Sequence, residues 1–106
     1  MAKKYQNKKH LAWIHEFQCV LHRKGNCHYQ VQAHHLMKPW RGFRGMGLKA
    51  TDHNLIPLCQ RCHMELHNRG DEFAFFREQT GNHLYGQEMS KAYWTISPFN
   101  DDEERT

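Results

Sequence analysis

The sequence predicts a small α+β domain in which two short strands and one helix carry most of the polar chemistry, with further helices beside them. Three features predict it: apolar residues at helical spacing near the N-terminus, two short strand-like segments, and a Cys- and His-rich helical segment that stops at a glycine. A chain of 106 residues forms one domain with a thin core. We therefore expect an additional cross-link that stabilises the domain, and four cysteines can supply it as a structural zinc knuckle.

The first helix is expected in "HLAWIHEFQCV", where Leu11, Ile14, Phe17 and Val20 recur at helical spacing. The first strand is expected in "YQVQAHHL", because of its valine and its alternation of polar and apolar residues. The second strand is "NLIPL", whose proline is tolerated near a strand end or at a sheet edge. Between the strands, "MKPWRGFRGMGLKATDHN" is long for a loop in a compact domain, which usually indicates a function.

Three helices are expected after the second strand. "CQRCHMELHNRG" is a helix that Gly70 ends, and "DEFAFFREQTG" is a helix capped by Asp71. A last helix is expected across 82–95. The predicted organisation is a flexible basic arm (1–9), a folded domain (10–97) and an acidic, disordered tail (98–106).

Composition excludes a membrane protein and favours a metal-binding protein of a reducing compartment. Mean hydropathy is −0.94, and no window has the roughly 18 apolar residues needed to cross a bilayer. The N-terminal "MAKKYQNKK" is not followed by an apolar signal segment, so the bacterial cytosol is the expected location. In a reducing cytosol, clustered Cys and His residues usually bind metal rather than form disulfides.

The charge is unevenly distributed along the chain. Residues 1–49 contain ten Lys and Arg and a single acid, a net +9, whereas residues 50–106 have a net −5. The basic half is the expected phosphate-binding surface, and DNA is the expected partner. The four lysines of the N-terminal arm are equally well explained as a solvated end. Four cations alternate with aromatic residues and glycines in the long loop and would give affinity for the DNA backbone without base readout: Lys38, Arg41, Arg44 and Lys49.

Four cysteines occur as two pairs, one with CxxC spacing at a helix start and one with seven residues between its members: Cys59 with Cys62, and Cys19 with Cys27. Four thiolates suit a closed tetrahedral zinc site that ties the N-terminal segment to the helix. Because the upstream spacing is wide, His22 or His28 could replace one thiolate. The alternative is that the cysteines are small buried apolar residues without a metal.

The histidines suggest a second metal site. His63 and His67 are four residues apart, so in a helix both lie on one face and can hold one ion. His34 and His35 end the first strand, and a strand–loop–strand–helix unit could bring them over that helix. Three imidazoles with open positions for water are typical of a catalytic site. Strict alternation would send His34 and His35 to opposite faces, unless the strand twists or ends there.

The order "HH", then an asparagine, then "CHMELH" resembles the His-Asn-His (HNH) nucleases, whose core is two antiparallel strands and a helix around one divalent ion. More narrowly, "CVLHRKGNC", "VQAHHL", "RGMGLKATDHNLIPLCQRCHMELH" and "GDEFAFF" look like phage and prophage HNH proteins related to recombination-enhancement nucleases. The resemblance covers about residues 19–77. It implies a ββα-metal core with flanking helices and the structural zinc knuckle.

Position by position, the resemblance implies that His35 is the general base and that His34, His63 and His67 bind the catalytic ion. Asn54 would be the middle residue of the motif, whose side chain hydrogen-bonds the backbone of the connecting loop. Many members have an aspartate before the base, where this chain has His34. An imidazole there favours Zn²⁺, Ni²⁺ or Mn²⁺ over Mg²⁺.

The sequence therefore leads to the expectation of a phage- or prophage-encoded HNH endonuclease that hydrolyses DNA phosphodiester bonds. Phosphodiester cleavage needs a base with a near-neutral pKa and a cation that stabilises charge on the phosphoryl and leaving oxygens. The alternative is a non-catalytic zinc module that binds nucleic acid. Such a module needs only the cysteine site, so the second ion separates the two.

Overall fold

The computed structural model describes residues 5–21, 27, 30–42 and 49–102. This part of the chain has a two-stranded sheet and four helices, which confirms the predicted α+β class. None of the described helices is long and apolar enough to cross a membrane. The elements are α1 (Lys8–Ile14), β1 (Val31–His35), β2 (Leu55–Cys59), α2 (Gln60–Arg69), α3 (Glu72–Thr80) and α4 (Tyr85–Ile96).

The two strands are antiparallel, with Val31 opposite Cys59 and His35 opposite Leu55. Every residue of β2 is buried, which explains why "LIPLC" is a continuous apolar run rather than an alternating one. Helix α2 begins directly after β2, so the chain forms a strand–loop–strand–helix unit. The end of β1, the start of β2 and the following helix are thereby brought together.

The core lies where the sheet meets α2, α3 and α4. Helix α4 packs closely on α3 because Gly86 has no side chain: a Cβ there would lie 2.6 Å from Cε2 of Phe76. This contact allows a thin core to be well filled, as expected for a domain of this size. Its most buried apolar members include Leu36, Ile56, Leu58, Leu66, Phe75 and Phe76.

The helix ends follow the local signals of the sequence. Gly70 ends α2 in the left-handed conformation (φ 76°), and the Asp71 side chain caps α3 by accepting from the Ala74 N–H, as predicted. The first helix differs, because it begins at Lys8 and ends at Ile14 rather than reaching Val20. After the turn that follows, the Val20 N–H donates to the Pro57 carbonyl at 2.9 Å, so this segment joins β2 instead of continuing the helix.

The described parts of the two chain ends contact each other. Tyr5 Oη donates to Asp101 at 2.8 Å, and Asn7 Nδ2 donates to the Phe99 carbonyl at 2.9 Å. Asp102 accepts from Trp94 Nε1 at 2.8 Å. The two acids of 98–102 thus accept hydrogen bonds from distant parts of the chain. Residues 1–4 and 103–106 lie outside the described part.

Candidate metal centres

Four thiols form the first candidate metal centre. The Sγ atoms of Cys19, Cys27, Cys59 and Cys62 all lie within 4.8 Å of one another, and none of the four forms a disulfide. The sulfurs of Cys27 and Cys62 are 4.0 Å apart. A tetrahedral zinc ion with bonds of about 2.3 Å separates its sulfurs by about 3.8 Å. The cluster could therefore hold a structural metal such as zinc.

The start of α2 organises this thiol cluster. Cys59 is both the last residue of β2 and the N-cap of α2, and its sulfur accepts the Cys62 N–H at 3.4 Å. A backbone N–H and a helix N-terminus both favour a thiolate. Cys19 follows α1, so an ion here would tie the N-terminal segment to α2. The alternative ligands His22 and His28 lie outside the described residues.

Three imidazoles form the second candidate centre. His34 comes from β1, and His63 and His67 come from α2; their ligand nitrogens lie within 4.8 Å of one another. The Nε2 atoms of His63 and His67 are 3.0 Å apart. Tetrahedral zinc–nitrogen bonds of about 2.0–2.1 Å separate ligand nitrogens by about 3.3 Å, so the donor set fits one divalent ion. His34 is buried and His67 is exposed, so the centre opens to solvent on one side.

Glu72 holds His34 in the orientation that this centre needs. Oε2 of Glu72 lies 2.9 Å from Nε2 of His34, and the same carboxylate accepts the N–H groups of Met37 and Lys38. Because Glu72 acts as acceptor to all three, Nε2 of His34 carries the proton and Nδ1 has the lone pair. A carboxylate behind a histidine is a common support for a metal ligand.

Gln32 supports His63 in a similar way. Oε1 of Gln32 lies in hydrogen-bond contact with Nδ1 of His63, which leaves Nε2 of His63 to face His67. The pKa of His63 is lowered to about 4, mainly by burial and in addition by the nearby His34, His67 and Lys49. The imidazole is therefore neutral near pH 7, the form that binds a metal ion.

The predicted base, His35, lies outside the group formed by the three imidazoles. Its Nε2 lies 2.7 Å from Oδ1 of Asp52, whose Oδ2 accepts the Asn7 N–H at 2.8 Å. Burial raises the pKa of Asp52, but the hydrogen bonds from His35 and Asn7, with the charges of His35 and His10, together lower it below its usual value. His35 is thus held by an ionised carboxylate on the strand position next to His34.

Asn54 closes the loop between the two strands. Its Oδ1 accepts from the N–H groups of Trp40 at 2.8 Å and Arg41 at 3.2 Å, and its Nδ2 donates to the Arg41 carbonyl at 3.0 Å. Nδ2 also lies 3.1 Å from Oγ1 of Thr51. Asn54 is fully buried, and these are bonds to the connecting loop, as the HNH resemblance implies for the middle residue.

The basic residues expected to contact DNA have different surroundings. Arg41 forms an ion pair with Asp102 at 2.9 Å, which neutralises part of its charge. Lys38 is exposed, with its Nζ 5.6 Å from the centroid of the Phe73 ring. Lys49 is close enough to His63 to lower its pKa. Arg44 lies outside the described residues.

Sequence reasoning missed both carboxylates that hold the adjacent histidines. Glu72 is the first residue of α3, where an acid is common for its interaction with the helix dipole. Asp52 is one polar residue among several in "KATDHN". Neither has a local pattern that points to a histidine. The only general signal is chemical: a histidine that binds a metal usually donates its other ring N–H to a carboxylate or a carbonyl.

One comparison with known proteins identifies a family. A family model described as "Protein of unknown function (DUF968)" matches residues 1–93. No match was found among curated proteins, and none was found among solved structures. The matched range includes both candidate metal centres, since their last ligand is His67.

Proposed function

We propose that this chain, which belongs to the DUF968 family, is a metal-dependent endonuclease of the HNH type that hydrolyses DNA phosphodiester bonds. One observation carries the proposal: three imidazoles from β1 and α2 converge, and the residue of β1 that follows His34 is held by a carboxylate, in the pair of His35 with Asp52. The strand–loop–strand–helix unit and the bonds from Asn54 to its loop support the same assignment.

His34, His63 and His67 would hold one divalent ion. When bound, such an ion supplies charge stabilisation at the phosphoryl oxygens and at the leaving 3′ oxygen. Nitrogen donors alone favour Zn²⁺, Ni²⁺ or Mn²⁺ over Mg²⁺. The exposed side of the centre, at His67, gives the phosphodiester a path of approach.

His35 would take the proton from the attacking water. Asp52 holds its Nε2, so Nδ1 is the nitrogen that accepts the proton, and the carboxylate stabilises the imidazolium that forms. His35 follows a proposed metal ligand directly and occupies the last position of β1. Because neighbouring strand residues point to opposite faces, a phosphate held at His34 would meet His35 only where β1 ends.

The thiol cluster would have a structural role as a zinc site. Its two downstream cysteines lie at the start of α2, the same helix that presents His63 and His67. Fixing the start of that helix therefore also fixes the two histidines relative to β1. We expect zinc here to be held permanently, because four thiolates leave no open position.

The rival function is a zinc module that binds nucleic acid without cleaving it. It is favoured by the thiol cluster, which would be sufficient on its own to stabilise such a module. The two functions differ in the number of ions: the nuclease holds two, and the module holds one.

Native mass spectrometry and a plasmid-cleavage assay test the proposal together. The wild-type protein should bind two ions and cleave the plasmid, whereas His67→Ala should bind one and lose cleavage. His15→Ala is the matched control, because His15 is an exposed histidine at the end of α1. One ion and no cleavage in the wild-type protein would favour the binding module instead.

A further inference from the structure

An open pocket of ≈ 550 Å³ lies beside α3, outside both metal centres. Its polar and aromatic lining comes from the loop after β1, from the start and body of α3 and from the turn before α4: Lys38, Asp71, Phe73, Arg77 and His83. Pockets of a few hundred cubic ångströms fit small ligands or single nucleotides. Neither the HNH resemblance nor the proposed mechanism assigns a role to it.

The side chain of Glu72 links the histidine centre to Lys38, a residue that lines the pocket. Glu72 accepts from His34 with one oxygen and from the Lys38 N–H, at 2.9 Å, with the other. Phe73, the next residue along α3, faces the pocket. A strand that crosses the histidine centre therefore meets this pocket within a short distance.

The pocket has the charge that a phosphate needs. Neither Lys38 nor Arg77 forms an ion pair with a carboxylate in the described part of the chain. The pocket is also lined by one acid, Asp71, whose Oδ1 is engaged as the N-cap of α3, where it accepts the Ala74 N–H at 3.1 Å; the two cations outnumber it. Two cations at one pocket are complementary to the phosphate of a nucleotide.

The pocket also has an aromatic surface for a base. The Phe73 ring is only half-buried, and its contacts on this side are with His83, at a centroid distance of 5.4 Å, and with Nζ of Lys38. A cation–π contact of an exposed lysine is weak. Lys38 can therefore turn to a phosphate and leave a face of the ring to a base.

We infer that this pocket binds one unpaired nucleotide of the DNA strand next to the cleaved bond. Lys38 and Arg77 contact its phosphate, and its base stacks on Phe73. A base in a duplex is already stacked between its neighbours, whereas an unpaired base offers a free face to an aromatic ring. This inference rests on the proposed function, and it specifies a substrate with a single-stranded or frayed segment.

Fluorescence anisotropy on the intact, metal-loaded protein tests the pocket without requiring cleavage. The probe is a labelled oligothymidylate with phosphorothioate linkages, used as a single strand and as a duplex with oligoadenylate. Phe73→Leu should weaken single-strand binding about tenfold and leave its salt dependence unchanged, because stacking involves no counterions. Arg77→Gln should lower the slope of log K against log salt by about 0.7.

Arg61→Gln is the matched control, because it removes the same charge from an exposed position on α2. It should change neither the affinity nor the slope beyond the general loss of one distant charge. Wild-type single-strand affinity in both pocket variants would overturn the inference. An equal loss for single strand and duplex would also overturn it, because the pocket would then contact only the backbone.

Two further readouts keep the outcome clear. If Phe73→Leu melts at a much lower temperature than the wild-type protein, the Arg77→Gln variant alone tests the inference. The readout is then its slope of log K against log salt, measured with the single strand and with the duplex. The proposed nuclease function has its own readout, plasmid cleavage. Cleavage with no pocket effect would overturn only the pocket, and pocket-dependent binding with no cleavage by the wild-type protein would overturn only the nuclease.

Discussion

Nε2 of His34 lies 2.9 Å from Oε2 of Glu72, and both side chains are only 2% exposed. This pair joins the end of β1 to the start of α3 and determines which nitrogen of His34 faces the other two imidazoles. The orientation of His34 in the candidate metal centre therefore depends on Glu72, a residue that would not itself touch the ion.

We predict that Glu72→Gln weakens the metal affinity of the histidine centre by about 10- to 100-fold. The amide keeps the shape of the side chain, but one of its ends donates, so it cannot accept from all three N–H groups. Calorimetric titration with Zn²⁺ or Mn²⁺ measures the effect, and Glu88→Gln, an exposed change on α4, is the control. Unchanged affinity in Glu72→Gln would rule out this supporting role.

His35→Ala and His67→Ala should lose activity for different reasons. The His35→Ala protein, which lacks the proposed base, should keep both ions while its cleavage rate falls by about 10² to 10⁴. The His67→Ala protein, which lacks one of the metal-binding imidazoles, should bind the second ion poorly, and excess metal should restore part of its cleavage rate. His34→Ala should resemble His67→Ala. Loss of the ion in His35→Ala, with none in His34→Ala, would reverse the two roles.

Removing the metal from the thiol cluster should destabilise the whole domain, because metal binding and folding are coupled at such sites. A chelated sample, or Cys62→Ser, should melt at a clearly lower temperature in circular dichroism. Adding zinc back should restore the chelated wild-type protein but not the variant. If the metal-free protein, with four free thiols, melts at the same temperature as the zinc-bound protein, the cluster does not stabilise the domain.

Asn54→Ala should lower the free energy of unfolding by about 2–4 kcal/mol, since it leaves buried N–H groups and a carbonyl of the loop without partners. The loop between β1 and β2 would then lose its bonds to Trp40 and Arg41. Urea unfolding provides the measurement. Asn68→Ala, an exposed position on α2, should change stability by less than about 0.5 kcal/mol.

The stability of the protein should fall as the pH drops below about 6.5, in part because of His10. Burial lowers the pKa of His10 to about 4; the nearby Asp52 opposes this shift, and His53 adds to it. The unfolded chain therefore binds a proton between about pH 6.5 and 4 that the folded chain does not, and stability is lost as the pH falls through this range.

Comparison with His10→Gln isolates this histidine from the others. The difference in unfolding free energy between the two proteins should be constant above about pH 6.5. Below that pH the wild-type protein should lose more unfolding free energy than the variant does. The extra loss should be on the order of 2 kcal/mol by pH 4 to 5. Parallel pH profiles for the two proteins would contradict the assignment.

The parts of the molecule that sequence could predict depend on neighbouring residues. The strand that ends in His34, the capped start of α3 at Asp71 and the end of α2 at Gly70 each have a pattern within a few positions. Helical spacing alone also predicted that His63 and His67 share a face. These elements carry most of the ligands of the two candidate metal centres.

The missed features depend on distant contacts. Glu72 lies 38 residues from His34, and Asp52 lies 17 residues from His35, so no local pattern marks either pair. The residues 98–102 have a composition typical of disorder. In the structure Asp102 accepts from Arg41 and from Trp94, and hydrophilic composition cannot reveal such pairings.

The contact between Tyr5 and Asp101 places the two ends of the described chain side by side. A circular permutant that joins these ends through a short glycine-rich linker would therefore need little change elsewhere. The exposed turn at Gly81, between α3 and α4, offers a site for the new termini away from both metal centres. In such a rearranged chain, the seven candidate metal ligands would keep their order along the polypeptide, because all of them precede Gly81.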